Sequence, residues 1–256
     1  MNIKLVIEYD GTDFCGWQQQ LGQRSVQGEM EKALASLTGQ AVRLHGAGRT
    51  DAGVHALAQV ANCHLETKIP PARFAAALNP LLPRDVKVLR AEAVPESWHA
   101  RFSARGKVYS YRLLLSDAPR PLSRHRAYRL PQSLQVDAME QALPLFVGRH
   151  DFRAFAAKGS SALTTERTIM RAELIRQGEQ CDLVFSGDGF LYHMVRIIVG
   201  DLVGVALGKL AAPDIARALA TGHRSRPPVT APAQGLYLLQ VIYEALPPDV
   251  DKAVQR

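Results

Sequence analysis

A single carboxylate stands in a glycine-dense run, Gly46-Ala47-Gly48-Arg49-Thr50-Asp51-Ala52-Gly53-Val54-His55. A carboxylate can serve as nucleophile, general base or electrostatic stabiliser, and it does each best in a rigid, partly dry setting. Gly46, Gly48 and Gly53 permit tight turns and close approach of a ligand. Arg49 could contact a phosphate or stack on a base. An isolated Arg-Thr-Asp reads more simply as a turn capped by Asp51 with Arg49 as its solvated neighbour. A second charge stands out at Arg196, inside the mostly apolar stretch Leu191 to Leu207. Burying it alone is expensive, so it needs a partner, with Asp201 or another acid as one reading. Tyr109 and Tyr111 share side-chain parity on a strand-like run, where packing is the plain reading of both.

Phe152, Phe155 and Leu236 read as core or cleft-lining residues, and His55 and His193 as hydrogen-bonded structural histidines. Cys15, Cys63 and Cys181 are odd in number and lack any CxxC or Cys/His ligand spacing, so neither a disulfide framework nor a zinc site is indicated. No convincing second acid accompanies Asp51, which argues against a glycoside hydrolase working through a carboxylate pair.

The elements that must hold these residues follow from pattern. Ile3, Leu5, Ile7 and Tyr9 alternate as a strand ended by Asp10-Gly11. Ser25 can cap a helix with Val26, Met30, Ala33, Leu34 and Leu37 on one stripe, ending at Gly39. Strands are predicted around Val42 to His45, Leu57 to Leu65 and Val86 to Val94, with a helix opened by Pro71 through Phe74 and Leu78. This β-α-β-β-α-β order is ferredoxin-like and occurs in RNA-binding modules. A second half repeats the theme. It has a strand from Val108 to Leu115, a helix from Val136 to Val147 that Pro144 shortens or kinks, and a hairpin turning at Gln177-Gly178-Glu179. A buried helix from Leu191, a short helix opened by Pro213 and a strand from Leu236 to Tyr243 complete it. The expected class is α+β, divided into 1–104, which carries the Asp51 loop, and 105–256.

Bulk properties narrow the partner. The 256 residues are 47% hydrophobic and 21% charged without a low-complexity tract, so the chain should fold throughout. The net charge is +7, and eight Lys or Arg lie between Arg101 and Arg129 against Asp117 alone, a field that attracts phosphates. Leu191 to Leu207 approaches the lower limit for a membrane span, but His193, Arg196 and Asp201 would be costly in lipid. With no secretory signal pattern at Met1 to Tyr9, a cytoplasmic setting is expected.

The string Gly46 to Ala56 resembles the active-site motif of the tRNA pseudouridine synthase A family, and the resemblance extends over nearly the whole chain. Matching blocks include Phe14-Cys15-Gly16-Trp17-Gln18, Ser25-Val26-Gln27-Gly28, Ala77-Leu78-Asn79 through Leu82-Pro83, and His99-Ala100-Arg101-Phe102-Ser103-Ala104. Tyr109-Ser110-Tyr111, His150-Asp151-Phe152 with Phe155, Arg167-Thr168-Ile169, Gly189 to Arg196, and Gly235-Leu236-Tyr237-Leu238 follow. Ala58 stands where the family has Gly, and Cys63 and His64 where it has an aromatic nearby; both departures lie downstream of the catalytic string.

The resemblance implies a pseudouridine synthase fold of two ferredoxin- or RRM-like halves, with mainly antiparallel sheets meeting at a central RNA-binding cleft. It implies isomerisation of uridine to pseudouridine in the tRNA anticodon arm, at positions 38 to 40, by a homodimer without cofactor or metal. Asp51 would be the nucleophile, attacking either C6 of the uracil or C1′ of the ribose. Arg49 would occupy the space left by the flipped base or hold its backbone, Tyr109 would stack on the uracil, and Arg196 would pair with Asp51 and keep it ionised. The competing class is a non-catalytic RNA-binding protein of two RRM-like units, but the chain lacks an RNP1-like aromatic pattern.

Overall fold

The computed structural model describes residues 1–159 and 162–244. They group into two compact units, one of residues 1–105 with 237–244, the other from Gly106 to Leu236. The first crossing between them lies at Arg105 and Gly106. The second crossing, at Leu236 and Tyr237, returns the last strand to the first unit.

The first unit runs β1 (Asn2–Tyr9), α1 (Val26–Thr38), β2 (His45–Gly46), β3 (His55–His64), α2 (Phe74–Leu78) and β4 (Val86–Val94). Ile3, Leu5 and Ile7 of β1 are fully buried, and β1 lies between β3 and β4. It pairs antiparallel with β3 on one side, Leu5 opposite Ala61, and with β4 on the other, Leu5 opposite Ala91. β2 pairs antiparallel with β3, so the order β4-β1-β3-β2 is that of the expected ferredoxin-like arrangement. The strand expected over Val42 to His45 shrinks to two residues because α1 takes its backbone groups. Glu31 Oε1 accepts from the Leu44 N–H at 2.9 Å, and Gln27 Nε2 donates to the Leu44 carbonyl at 3.2 Å. Ser25 Oγ caps α1 by accepting from Gly28 N–H, and Gly39 ends it at φ 71°.

The second unit contains β5 (Gly106–Leu115), β6 (Tyr128–Leu130), α3 (Val136–Ala142), β7 (Gly148–Asp151), β8 (Glu166–Gln177), β9 (Gln180–Gly187), α4 (Met194–Ala206) and α5 (Ala212–Thr221). Strands β5-β9-β8-β7 are antiparallel throughout, and β6 lies parallel to the end of β5. The β8–β9 hairpin turns at Gly178 (φ 62°) and Glu179, as the sequence predicts. Pro144 lacks an N–H, and α3 gives way at Leu143 to a 3-10 turn through Phe146. The helix expected from Leu191 begins at Met194, because His193 ahead of it adopts the left-handed φ of 59°. No helix among the described residues is long and apolar enough to cross a membrane. The chain then enters β10 (Leu236–Ile242), parallel to β3 with Tyr237 opposite His55 and Leu238 opposite Ala56. The class is α+β with mainly antiparallel sheets, as expected.

Candidate active site

Asp51 lies in the loop between β2 and β3, and the loop is fixed from several directions. Thr50 is buried, its Oγ1 2.7 Å from the Tyr9 hydroxyl, and its carbonyl accepts the Trp17 N–H at 3.0 Å. Half-buried Asp51 follows, its carbonyl accepting from Val54 N–H at 3.2 Å across a turn in which Gly53 takes φ 78°. Gly53 N–H donates to the Phe14 carbonyl at 3.4 Å, Gln59 Nε2 to the Gly48 carbonyl at 3.0 Å, and Ala47 N–H to the Val60 carbonyl at 2.7 Å. Burial raises the Tyr9 hydroxyl well above its ordinary pKa, outweighing the opposing hydrogen bonds with Thr50 and Gln59, so it stays neutral.

Steric fit ties a second sequence block to this loop. A Cβ on Gly16, which has φ 107°, would lie 2.5 Å from the Thr50 carbonyl oxygen. One on Gly46 would lie 2.5 Å from Trp17 Nε1. Phe14 to Gln18 and Gly46 to Ala56 are separate strings in the sequence and one packed body in the fold. Arg49 is exposed beside Asp51.

His55 opens β3, where Gly11 N–H donates to its Nδ1 at 3.0 Å, and its ring stacks on Tyr237 at 4.7 Å. Asp10 Oδ1 also lies 3.1 Å from Nδ1. His55 thus pins the end of β1, the structural role that its sequence context suggests.

Tyr109 and Arg196 belong to the second unit. Tyr109, on β5, is nearly buried and meets Phe190 edge-on at 5.1 Å. Tyr111 is fully buried; its hydroxyl donates to the Pro232 carbonyl at 2.6 Å, and a Cβ on Gly235 would collide with its ring at 2.7 Å. The hydroxyl of Tyr111 is therefore committed to the core, which separates the two tyrosines that the sequence leaves as alternatives. Arg196, on the first turn of α4, donates from Nε to the Ala231 carbonyl at 2.8 Å, and its own carbonyl accepts from Ala231 N–H at 3.0 Å. Its charge partly offsets the upward push that burial gives the Tyr111 hydroxyl. Asp201 is paired with Arg224, not with Arg196, which corrects that alternative. Ala231, Pro232 and Arg224 carry no motif signal, and sequence reasoning missed them. Phe152 and Phe155 are fully buried core residues, and Leu236 is buried.

The sequence profile of the tRNA pseudouridine synthase family matches residues 5–103 and 142–244, which takes in Asp51, Arg49 and Arg196. The chain belongs to this family. Its relatives include the tRNA pseudouridine synthase A of Acetivibrio thermocellus, 47% identical over 94% of this chain and 99% of the relative. Those of Geobacter sp. strain M21 and Rhodopseudomonas palustris strain BisA53 are 49% and 45% identical, each over 94% of this chain and 98% of the relative. A crystal structure of a Cbf5-Nop10-Gar1 complex is a looser likeness, 14% identical with a TM-score of 0.39, covering 92% of this chain and 48% of that one.

In this family member the basic stretch from Arg101 to Arg129 is partly structural. Arg112 pairs with Asp182 at 3.1 Å, Arg120 with Glu179 at 2.8 Å, and Arg129 donates to the carbonyls of Ser116 and Asp117. The surface field is accordingly weaker than the residue count alone suggests.

Proposed function

We propose that this protein isomerises uridine to pseudouridine in tRNA, with Asp51 as the nucleophile. The observation that carries the reading is family membership at 42–49% identity over nearly the full length of relatives called tRNA pseudouridine synthase A. The rigid setting of the Asp51 loop supports it, because a nucleophile works best when its position is fixed before substrate arrives.

In the proposed reaction the target base is flipped out, at a cost of roughly a few kcal/mol that protein contacts offset. Asp51 attacks C6 of the uracil or C1′ of the ribose, the glycosidic N–C bond breaks, the base turns, and a C–C bond forms at C5. The C5 proton leaves and N1 gains one, so no redox equivalent is consumed and no cofactor is needed. Arg49 is proposed to hold the flipped backbone, Tyr109 to stack on the uracil, and Arg196 to favour the ionised form of Asp51. The proposed targets are positions 38 to 40 of the anticodon arm, with the enzyme acting as a cytoplasmic homodimer.

The test is incubation with unmodified tRNA followed by mapping of pseudouridine. Absence of product in every tRNA overturns the reading, and product only outside the anticodon arm overturns the target assignment alone.

A further inference from the structure

Residues 98–103 of the first unit form a surface loop tied down by hydrogen bonds. His99 and Ser103 exchange bonds, Ser103 N–H donating to the His99 carbonyl at 2.9 Å and His99 N–H to Ser103 Oγ at 3.1 Å. Arg101 N–H donates to His99 Nδ1 at 3.0 Å. Ala100 N–H donates to Oδ1 of fully buried Asn62 at 2.9 Å, and the Tyr243 hydroxyl donates to the Ala100 carbonyl at 2.8 Å. Buried Asn2 accepts from Asn62 Nδ2 and donates to the Trp98 carbonyl, so two asparagines taken out of water anchor the loop.

This anchored loop displays an apolar ring to solvent. Phe102 is 77% exposed, the only exposed phenylalanine among the described residues. The His99 ring supports it at 4.5 Å, His45 lies 5.1 Å behind His99, and the Arg101 guanidinium is 5.7 Å from the Phe102 ring centre. Burial, aided by the nearby charges of His45, Arg101 and His64, lowers the His99 pKa, so its imidazole is a neutral π surface at neutral pH. Glu96 lies 2.9 Å from His64 Nδ1.

We propose that this loop is a stacking platform for an unpaired nucleotide of the RNA substrate, with the base on Phe102 and its phosphate on Arg101. An aromatic face beside an arginine is the chemistry by which proteins hold unpaired nucleotides, and it tolerates any base. A self-association surface would call for an apolar centre depleted of charge, whereas here a single exposed ring stands beside the Arg101 guanidinium. The inference rests on the RNA-modifying reading for the nature of its ligand.

The test uses the full chain and unmodified tRNA. Phe102→Ala is expected to raise both Kd and KM roughly ten-fold, the size of one lost base stack, with kcat and the melting temperature unchanged. Phe102→Trp is expected to restore both constants. Arg101→Gln should lower the slope of log affinity against log salt by about one. Unchanged Kd and KM in Phe102→Ala overturn the platform, as does a fall in kcat alone. A shift from dimer to monomer in Phe102→Ala assigns the surface to a second copy of the chain and also overturns it. If the wild-type protein forms no pseudouridine, the activity reading fails separately, and the Kd for tRNA still decides the platform.

Discussion

Arg224 closes on both carboxylate oxygens of Asp201, Nη1 at 3.0 Å from Oδ1 and Nη2 on Oδ2. Both side chains are largely buried, and Arg224 also donates to the Ala154 carbonyl at 2.6 Å and lies 4.7 Å over the Phe155 ring. One guanidinium thereby joins α4, the 152–155 turn and the chain leaving α5. Burial pushes Asp201 up to about 6 against the pull of Arg224, so the pair is ionised at neutral pH. Arg224→Ala leaves the carboxylate buried and uncompensated. It should cost about 3–5 kcal/mol of stability by urea denaturation, whereas replacing both partners with apolar residues of similar size should cost less. Equal losses for the single and double variants would refute the pairing.

Gly16 touches the Asp51 loop without being part of it. Gly16→Ala places a methyl group against the Thr50 carbonyl at a φ that disfavours alanine. A stability loss of about 1–3 kcal/mol is expected, from overpacking and backbone strain together. The fall in kcat should exceed the fall in tRNA affinity, because the displaced group adjoins Asp51. Wild-type kcat in a folded variant would show that the loop tolerates the shift.

Asp51→Asn keeps the size of the side chain and removes the carboxylate of the proposed nucleophile. Pseudouridine formation should fall below detection while the Kd for tRNA changes by no more than a few fold, as read by product mapping and filter binding. Residual activity near the wild-type level would remove Asp51 from the reaction, and loss of binding would recast it as a substrate-holding group.

Asp151 gives a pH dependence with a definite sign. The Arg153 side chain holds its carboxyl down to about 2, assisted by Thr165 and by the Arg153 backbone N–H, while burial opposes them. A depressed carboxylate pKa contributes stability above the unfolded value, near 4, and that contribution is lost as pH falls towards 2. The contact is partly solvated, so its size should be about 1 kcal/mol. Melting curves of Asp151→Asn should fall less steeply than wild type between pH 4 and 2, and parallel curves would refute the assignment.

Local pattern made the main elements legible. Ser25 and Gly39 bracket α1, alternation marks β1, and Gly178 marks the β8–β9 turn, because caps, period-two burial and turn chemistry all act between near neighbours. Asp51 stood out through the company of its glycines. What remained hidden depends on irregular backbone meeting distant side chains. Nothing in the period of residues 42–45 says that Glu31 and Gln27 will take the Leu44 backbone, and nothing near Arg196 points to the Ala231 carbonyl. Asp201 lay one helical turn and a residue along from Arg196 and offered an alternative pairing, yet its partner came from beyond α5. The bond between Trp17 and Thr50 was likewise invisible, although both residues lay inside blocks singled out by their composition.

The parallel pairing of β10 with β3 has a consequence for how the molecule is made. During synthesis residues 1–105 emerge first, but their sheet cannot receive its last strand until Leu238 has appeared opposite Ala56. At ribosomal speeds of roughly 5–20 residues per second, that edge of β3 waits on the order of ten seconds while the intervening unit is translated. A nascent chain stalled before residue 236 should therefore carry a protease-sensitive first unit, and the released chain a protected one.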